Sequence, residues 1–434
     1  MNTPPPPVQP ERLRHVLHNG LVVLVMERPH LPIVSATLLL PAGVAHEPAE
    51  QPGTAFFASQ LLPLGTIHRS ATALAEEVDG LGGHLSTGCD YDYATVEVSG
   101  LARTAPELLE ILADVTTRAA LLDEEVERRR SQILGILERR KDDHNEVVRS
   151  RFYQAIYGSH PYGRRKEGTE DSVRALPRET IAGFYRERYG PRGGILAIVG
   201  DVKGPDVVRL VETHFGAWTS ASSKTPIVPE VPEGTGTRRR QRIAIPDEDV
   251  TQAYIRVGNV GIARDDPARN EIVLLNYILG GAGFGSRLMK SLREEQGLTY
   301  GAYSAFRARK RAGPFVATTQ TRIETMNQAL RSMLEVIDQF REQGPTEEEM
   351  VWAKRFFTGS LPLTLETNDQ LAQKLLEQEF YGLPDEFWLR DLEEMQGVSA
   401  AQVREAARRH IRPEEFAIVV LADFSKAELE PEGA

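Results

Sequence analysis

Apolar positions along this chain follow two periods, one near two residues and one near 3.6. Asn19-Gly20 is a turn signal before LVVLVMERP, and residues 33–40 (IVSATLLL) form a second β-rich run, so the first half opens on paired strands. Residues 55–64 and 72–81 read as helices, and 91–99 (YDYATVEVS) as an alternating strand. Residues 106–121, 123–157 and 178–189 read as helices, with 123–157 a single long one. A buried strand at 194–202 and a helix at 205–218 close this half.

The second half repeats the order. Strands are predicted at 242–246 and 252–262, helices at 267–279 and 287–295, and a strand pair within 299–319 broken at Gly313-Pro314. Residues 324–342 place Leu330, Met333, Leu334 and Ile337 on one helical face. A long helical stretch at 346–381 is interrupted near Pro362, and a helix at 399–410 leads into the buried strand FAIVVL. Antiparallel connections among mixed elements predict an α+β fold of two tandem homologous domains, each a mainly antiparallel sheet packed with helices. The expected division is an arm at 1–11, a first domain at 12–219, a Ser/Pro/Gly-rich linker at 220–241, a second domain at 242–425 and a tail at 426–434.

Length and composition narrow the function. A chain of 434 residues fits two domains, and 41% hydrophobic with 26% charged content is globular. A net charge of -11 argues against nucleic acid as a partner. No apolar run is long enough for a membrane span, and the Pro-rich start has no apolar signal core. Cys89 stands alone, so a thiolate metal cluster is excluded and the residue reads as a small buried hydrophobe.

Three patterns bear on chemistry. Gly280–Gly285 (GGAGFG) follows a predicted helix, whereas a phosphate loop follows a strand, so it reads as a hinge-like connection between helices. Arg293 and Tyr300 lie at a helix end and a strand start, which can bring a guanidinium fork and a phenolic donor to one surface. On the residues alone the structural reading is the stronger: Arg293 pairs with Glu294, Glu295 or a neighbour, and Tyr300 is a half-buried strand aromatic. None of the ten histidines falls in a zinc-type H-E-x-x-H or H-x-x-E-H pattern.

Four segments in order carry a resemblance: HNGLVVLVMERPHLPIVSATLLLPAGVAHEP, VDGLGGHLSTGCDYDYATV, the stretch from HPYGRRKEG to GILAIVGDV, and GSRLMKSLREEQGLTYGAYS. Together they resemble the pitrilysin and mitochondrial processing peptidase group, the inverted zinc peptidases, over about residues 12–424. The family's zinc helix reads G-x-A-H-x-x-E-H. Here the stretch is Gly53 to Gln60, with Phe56, Ser59 and Gln60 at the two His positions and the Glu position. The distal Glu would fall within 131–137, where Gly135 and Ile136 stand.

The resemblance therefore implies a chain that holds no metal. It implies a zinc-less subunit of a bacterial heterodimeric metallopeptidase, whose homologous partner carries the zinc. Arg293 and Tyr300 keep the family's spacing and are implied to bind and polarise a peptide substrate at the partner's zinc. His84, Ser86 and Thr87, on the Gly-Gly edge strand, are the implied substrate-edge residues. The implied compartment is the periplasm, with the cytoplasm as the alternative. Two alternatives remain at this point: a non-enzymatic scaffold subunit of the same fold, and a self-sufficient peptidase with relocated ligands.

Overall fold

The computed structural model describes residues 11–219, 221, 226–232, 239–384 and 387–431. The first ten residues of the arm, much of the expected linker and residues 432–434 of the tail lie outside the described residues. The described chain forms two compact units, each built on one sheet.

The first unit holds β1 (Arg12–Val16), β2 (Val22–Glu27), β3 (Ile33–Leu40), β4 (His84–Cys89), β5 (Ala94–Leu101) and β6 (Ile195–Gly200). Their order across the sheet is β1-β2-β6-β3-β5-β4. Only β2 and β6 run parallel. The continuous apolar runs have a direct cause: both faces of the central strands are covered. Val23, Val25, Ala36, Leu38, Leu196 and Ile198 face one core, and Leu24, Met26, Leu39, Ile195, Ala197 and Val199 face another. That second core is completed by Leu371, Leu375 and Leu376 of the helix Asn368–Tyr381.

The second unit holds β7 (Gln241–Pro246), β8 (Gln252–Val260), β9 (Ala302–Phe306), β10 (Pro314–Arg322) and β11 (Ala417–Ala422), ordered β7-β11-β8-β10-β9. Again one pair, β7 and β11, is parallel. Without β1, the first sheet has this same order, so β4 and β9 occupy equivalent edges. The predicted α+β class and the repeated domain are what the structure contains. The helix His144–Tyr157 packs on β8 and β11, and Gly258 on β8 leaves room for the Phe152 ring, which a Cβ there would approach to 3.1 Å.

The units do not follow a contiguous cut of the chain. The first comprises 1–138, 165–228 and 361–389; the second comprises 139–164, 229–360 and 390–434. Two long helical stretches read from the sequence are broken where the chain changes unit, the second of them near Pro362 as expected. The stretch 123–157 is two helices, Asp123–Arg139 and His144–Tyr157, because the Asp143 side chain accepts from Glu146 N and caps a new start. The stretch 346–381 is likewise split by a 3₁₀ turn at Leu361–Leu365 into Glu347–Ser360 and Asn368–Tyr381. A helix at Phe387–Gly397 has no counterpart in the sequence expectation. Among the described residues no helix is long and apolar enough to cross a membrane.

Candidate functional site

The helix Thr54–Leu61 carries the three degenerate zinc positions. Its start is fixed by Glu47, a buried carboxylate whose Oε2 accepts from Gly53 N at 3.0 Å and Ala55 N at 3.2 Å. Gly53 takes φ +96, and a Cβ there would sit 2.6 Å from the Glu167 carbonyl oxygen. Phe56 packs against the hydrophobic core. Ser59 is buried and its hydroxyl donates to the Phe56 carbonyl at 2.7 Å, so it is spent within the helix. Gln60 is half-buried. An aromatic ring, an internally bonded hydroxyl and a neutral amide do not form a zinc donor set. On the helix Asp123–Arg139, Gly135 and Ile136 offer no donor, and Arg130 packs over the Phe57 ring at 5.4 Å while donating to the Leu176 carbonyl. Among the described residues no group of three His, Cys, Asp or Glu side chains is placed to hold a metal ion.

The edge strand β4 begins at His84, which is exposed, with Ser86 and Thr87 half-buried beyond it. Ser86 lies opposite Glu97 of β5 in the register. Burial, reinforced by the neighbouring Asp369 carboxylate, raises the Glu97 carboxyl pKa, and the His84 ring works the other way. Cys89, at the end of β4, has its thiol pKa pushed up by burial, which removes it as a nucleophile at neutral pH.

Arg293 and Tyr300 are brought together at the edge of the second sheet, but not in the way the sequence suggested. The stretch expected as one helix over 287–295 is a short α turn, Arg287–Met289, followed by a π-type turn, Lys290–Glu295. A second π-type turn, Tyr277–Gly281, precedes it. Wide turns of this kind shift side chains off the regular helical face and concentrate at functional sites. Gly297, at φ +63, reverses the chain, and Tyr300 lies just before β9 rather than in it. Arg293 Nη1 donates to the main-chain carbonyl of Tyr300 at 2.8 Å. Its guanidinium stacks on the Phe284 ring at 4.5 Å, in the Gly-rich loop. Pairing of Arg293 with Glu294 or Glu295 is therefore not its arrangement.

The Tyr300 side chain is 85% exposed, not half-buried in a strand, and its hydroxyl has no partner among the described residues. Sequence reasoning missed Phe284, whose contact depends on the loop conformation. It also missed a cavity of about 350 Å³ beside Tyr300, which draws Asn145 in from the first half of the chain. Thr299 and Thr319 brace this corner: their hydroxyls lie 3.0 Å apart, and each lies 2.9 Å from the Gly301 carbonyl, within hydrogen-bond reach.

Comparison with known proteins places this geometry in a family. The insulinase (peptidase family M16) pattern matches residues 22–170, and the peptidase M16 inactive domain matches residues 175–356. The chain belongs to peptidase family M16. An M16 relative, an uncharacterized zinc protease of Mycobacterium tuberculosis, is 28% identical over 412 residues, 94% of this chain and 92% of its own. An uncharacterized zinc protease of Streptomyces coelicolor is 28% identical over 369 residues, 84% of this chain and 80% of its own. The crystal structure of a peptidase M16 inactive domain from Pseudomonas fluorescens superimposes with a TM-score of 0.86 at 27% identity, covering 95% of this chain and 97% of that one. A protease from Helicobacter pylori shares the M16 fold with a TM-score of 0.87 at 19% identity, covering 95% and 100%.

Proposed function

We propose that this M16 chain is the zinc-less subunit of a two-subunit peptidase, and that it offers Tyr300 and Arg293 to a peptide held at the zinc of a homologous partner. The observation that carries this reading is the contrast within one chain. The three zinc positions are filled by Phe56, Ser59 and Gln60, whereas Tyr300 presents a free phenol on a braced backbone. A set of groups abandoned for metal binding beside a preserved polar pair fits a division of labour between two subunits.

The zinc, when supplied by the partner, would activate water and polarise the scissile carbonyl. In this chain the Tyr300 hydroxyl donates a hydrogen bond to the oxygen on which charge develops. Arg293 holds the Tyr300 carbonyl and keeps further N–H donors for a substrate carbonyl. β9, the last strand of its sheet, is where an extended peptide would add as a further strand.

The test uses the full-length chain purified without chelator. Elemental analysis is expected to find no stoichiometric zinc, and peptide digestion is expected only after a homologous H-x-x-E-H subunit is added. Zinc near one equivalent, or cleavage by the isolated chain, would sink the reading. A scaffold role draws support from one feature, that an Arg293 donor is spent on its own chain. Full activity of a complex carrying Tyr300→Phe would favour that role.

A further inference from the structure

The cavity beside Tyr300 has a chemical character that the peptidase reading does not by itself require. Its volume is about 350 Å³, enough for a side chain of medium size, and its walls come from the start of the helix His144–Tyr157, the start of β8, and β9 and β10. No Asp, Glu, Lys, Arg or His lines it. This is notable in a chain with 51 basic and 62 acidic residues.

Beside the Gln252 amide and the Tyr300 and Tyr303 hydroxyls, the polar groups in the walls fall into two sets. The threonine hydroxyls are already committed to main-chain oxygens: Thr299 to the Gly301 or Gln320 carbonyl, Thr319 within reach of Gly301, and Thr318 to Ile255. The amides are only half used. Gln320 Nε2 donates to Asn145 Oδ1 at 3.1 Å, which leaves the Gln320 oxygen and the Asn145 nitrogen. If both amides are turned over, the bond survives and one acceptor and one donor still remain, so the conclusion does not depend on their assignment. The positive end of the helix beside Asn145 is met by Asp143, whose carboxylate accepts from Glu146 N. The Tyr303 ring lies close over Gly301, where a Cβ would approach it to 2.7 Å, and supplies an apolar side wall.

A neighbouring donor and acceptor match a carboxamide, which presents the same two groups in reverse. A carboxylate or ammonium entering the same space would lose water and find no opposite charge. We infer that this cavity is a selectivity pocket for an uncharged, hydrogen-bonding side chain of a bound peptide, best a Gln or Asn, with Asn145 and Gln320 as the residues that choose it. The inference rests on the reading that peptide passes Tyr300.

The experiment measures fluorescence anisotropy of the full-length chain with three labelled decapeptides, identical except for a central Gln, Glu or Lys. The Gln peptide is expected to bind about tenfold more tightly than either charged one, the scale of one polar group left unpaired. Gln320→Glu, and separately Asn145→Asp, should transfer the preference to Lys. These size-matched changes, at exposed Asn145 and half-buried Gln320, leave the sheet intact, which circular dichroism checks. Equal binding of all three peptides to the native chain, lost in Tyr300→Ala, would overturn the pocket while leaving the peptide reading standing. Failure of all three to bind at millimolar concentration would overturn the pocket, whereas the peptidase reading stands or falls on digestion with the zinc subunit added. A Gln preference unmoved by either acidic substitution would also overturn the assignment to Asn145 and Gln320.

Discussion

Tyr300 is held by its backbone and left free at its tip. Removing only the hydroxyl, in Tyr300→Phe, should therefore leave folding unchanged and act on the transition state. In the assembled peptidase we expect kcat to fall on the order of a hundredfold with little change in KM, read from steady-state kinetics on several peptides. Arg293→Ala is predicted to lower kcat as well as raise KM, because the same guanidinium that faces a substrate also fixes the Tyr300 carbonyl. A pure KM effect would mean that the Tyr300 backbone holds its place without it. His46 makes a different prediction. It is buried, and burial followed by the nearby Arg188 charge lowers its pKa to about 4, against a bond to the Asp92 carbonyl that works the other way. The native state therefore refuses a proton that the unfolded chain accepts near pH 6.5. Its stabilising contribution is complete above that pH and is lost as pH falls towards about 4. Burial also lowers His160 and His410, which adds to the same slope. Unfolding free energies from urea titrations between pH 7 and pH 4.5 should fall steadily, by up to ~1.4 kcal/mol per pH unit for each such proton, and less steeply in His46→Asn. A flat profile would contradict this account.

At the scale of elements, the strands and the break near Pro362 were legible, and the break at 139–143 was not. The runs 33–40 and FAIVVL announce buried strands because both faces of the sheets are covered, which leaves no polar alternation to confuse them. Helical periodicity runs on through residues 139–143, where only polar side chains mark the break. Its signals were present: Asp143 with Glu146, and Thr367 with Gln370, each carry the spacing of a helix start. For the candidate site, Arg293, Tyr300 and the three substituted zinc positions were singled out through the family resemblance, because residue types alone favoured a structural reading of Arg293 and Tyr300. The bond from Arg293 to the Tyr300 carbonyl was not, because it depends on a π-type turn that changes the facing of side chains without changing the sequence period. Nor was the role of Gly280. A Cβ on Gly280 would lie 2.3 Å from the backbone nitrogen of Ser304, so this turn lies directly on β9. Gly280→Ala should displace that edge strand and cost about 1–3 kcal/mol of stability in chemical unfolding, the scale of an overpacked contact. A stability within 0.5 kcal/mol of the native chain, about the noise of a neutral surface change, would show that the strand yields freely.

The whole molecule is a chain whose order of folding is constrained by where its parts are encoded. The core face of the first sheet formed by Leu39, Ile195, Ala197 and Val199 is complete only when Leu371, Leu375 and Leu376 arrive. During synthesis the last strand of that sheet, β6, ends at Gly200, while its covering helix ends at Tyr381. At ~5–20 residues per second the interval is roughly ten to forty seconds. For that time a finished sheet would present an apolar face to water, a surface of the kind that aggregates or recruits a holding protein. Ribosome-bound chains stalled after residue 300 should therefore remain protease-sensitive within residues 12–200, and chains extended past the helix at 368–381 should become resistant. Protection before that helix emerges would show that the sheet tolerates an open face. The late helix thus acts as a timer: it couples the maturation of the first sheet to the synthesis of residues 368–381, and a product terminated before them is left with an exposed face that quality control can recognise.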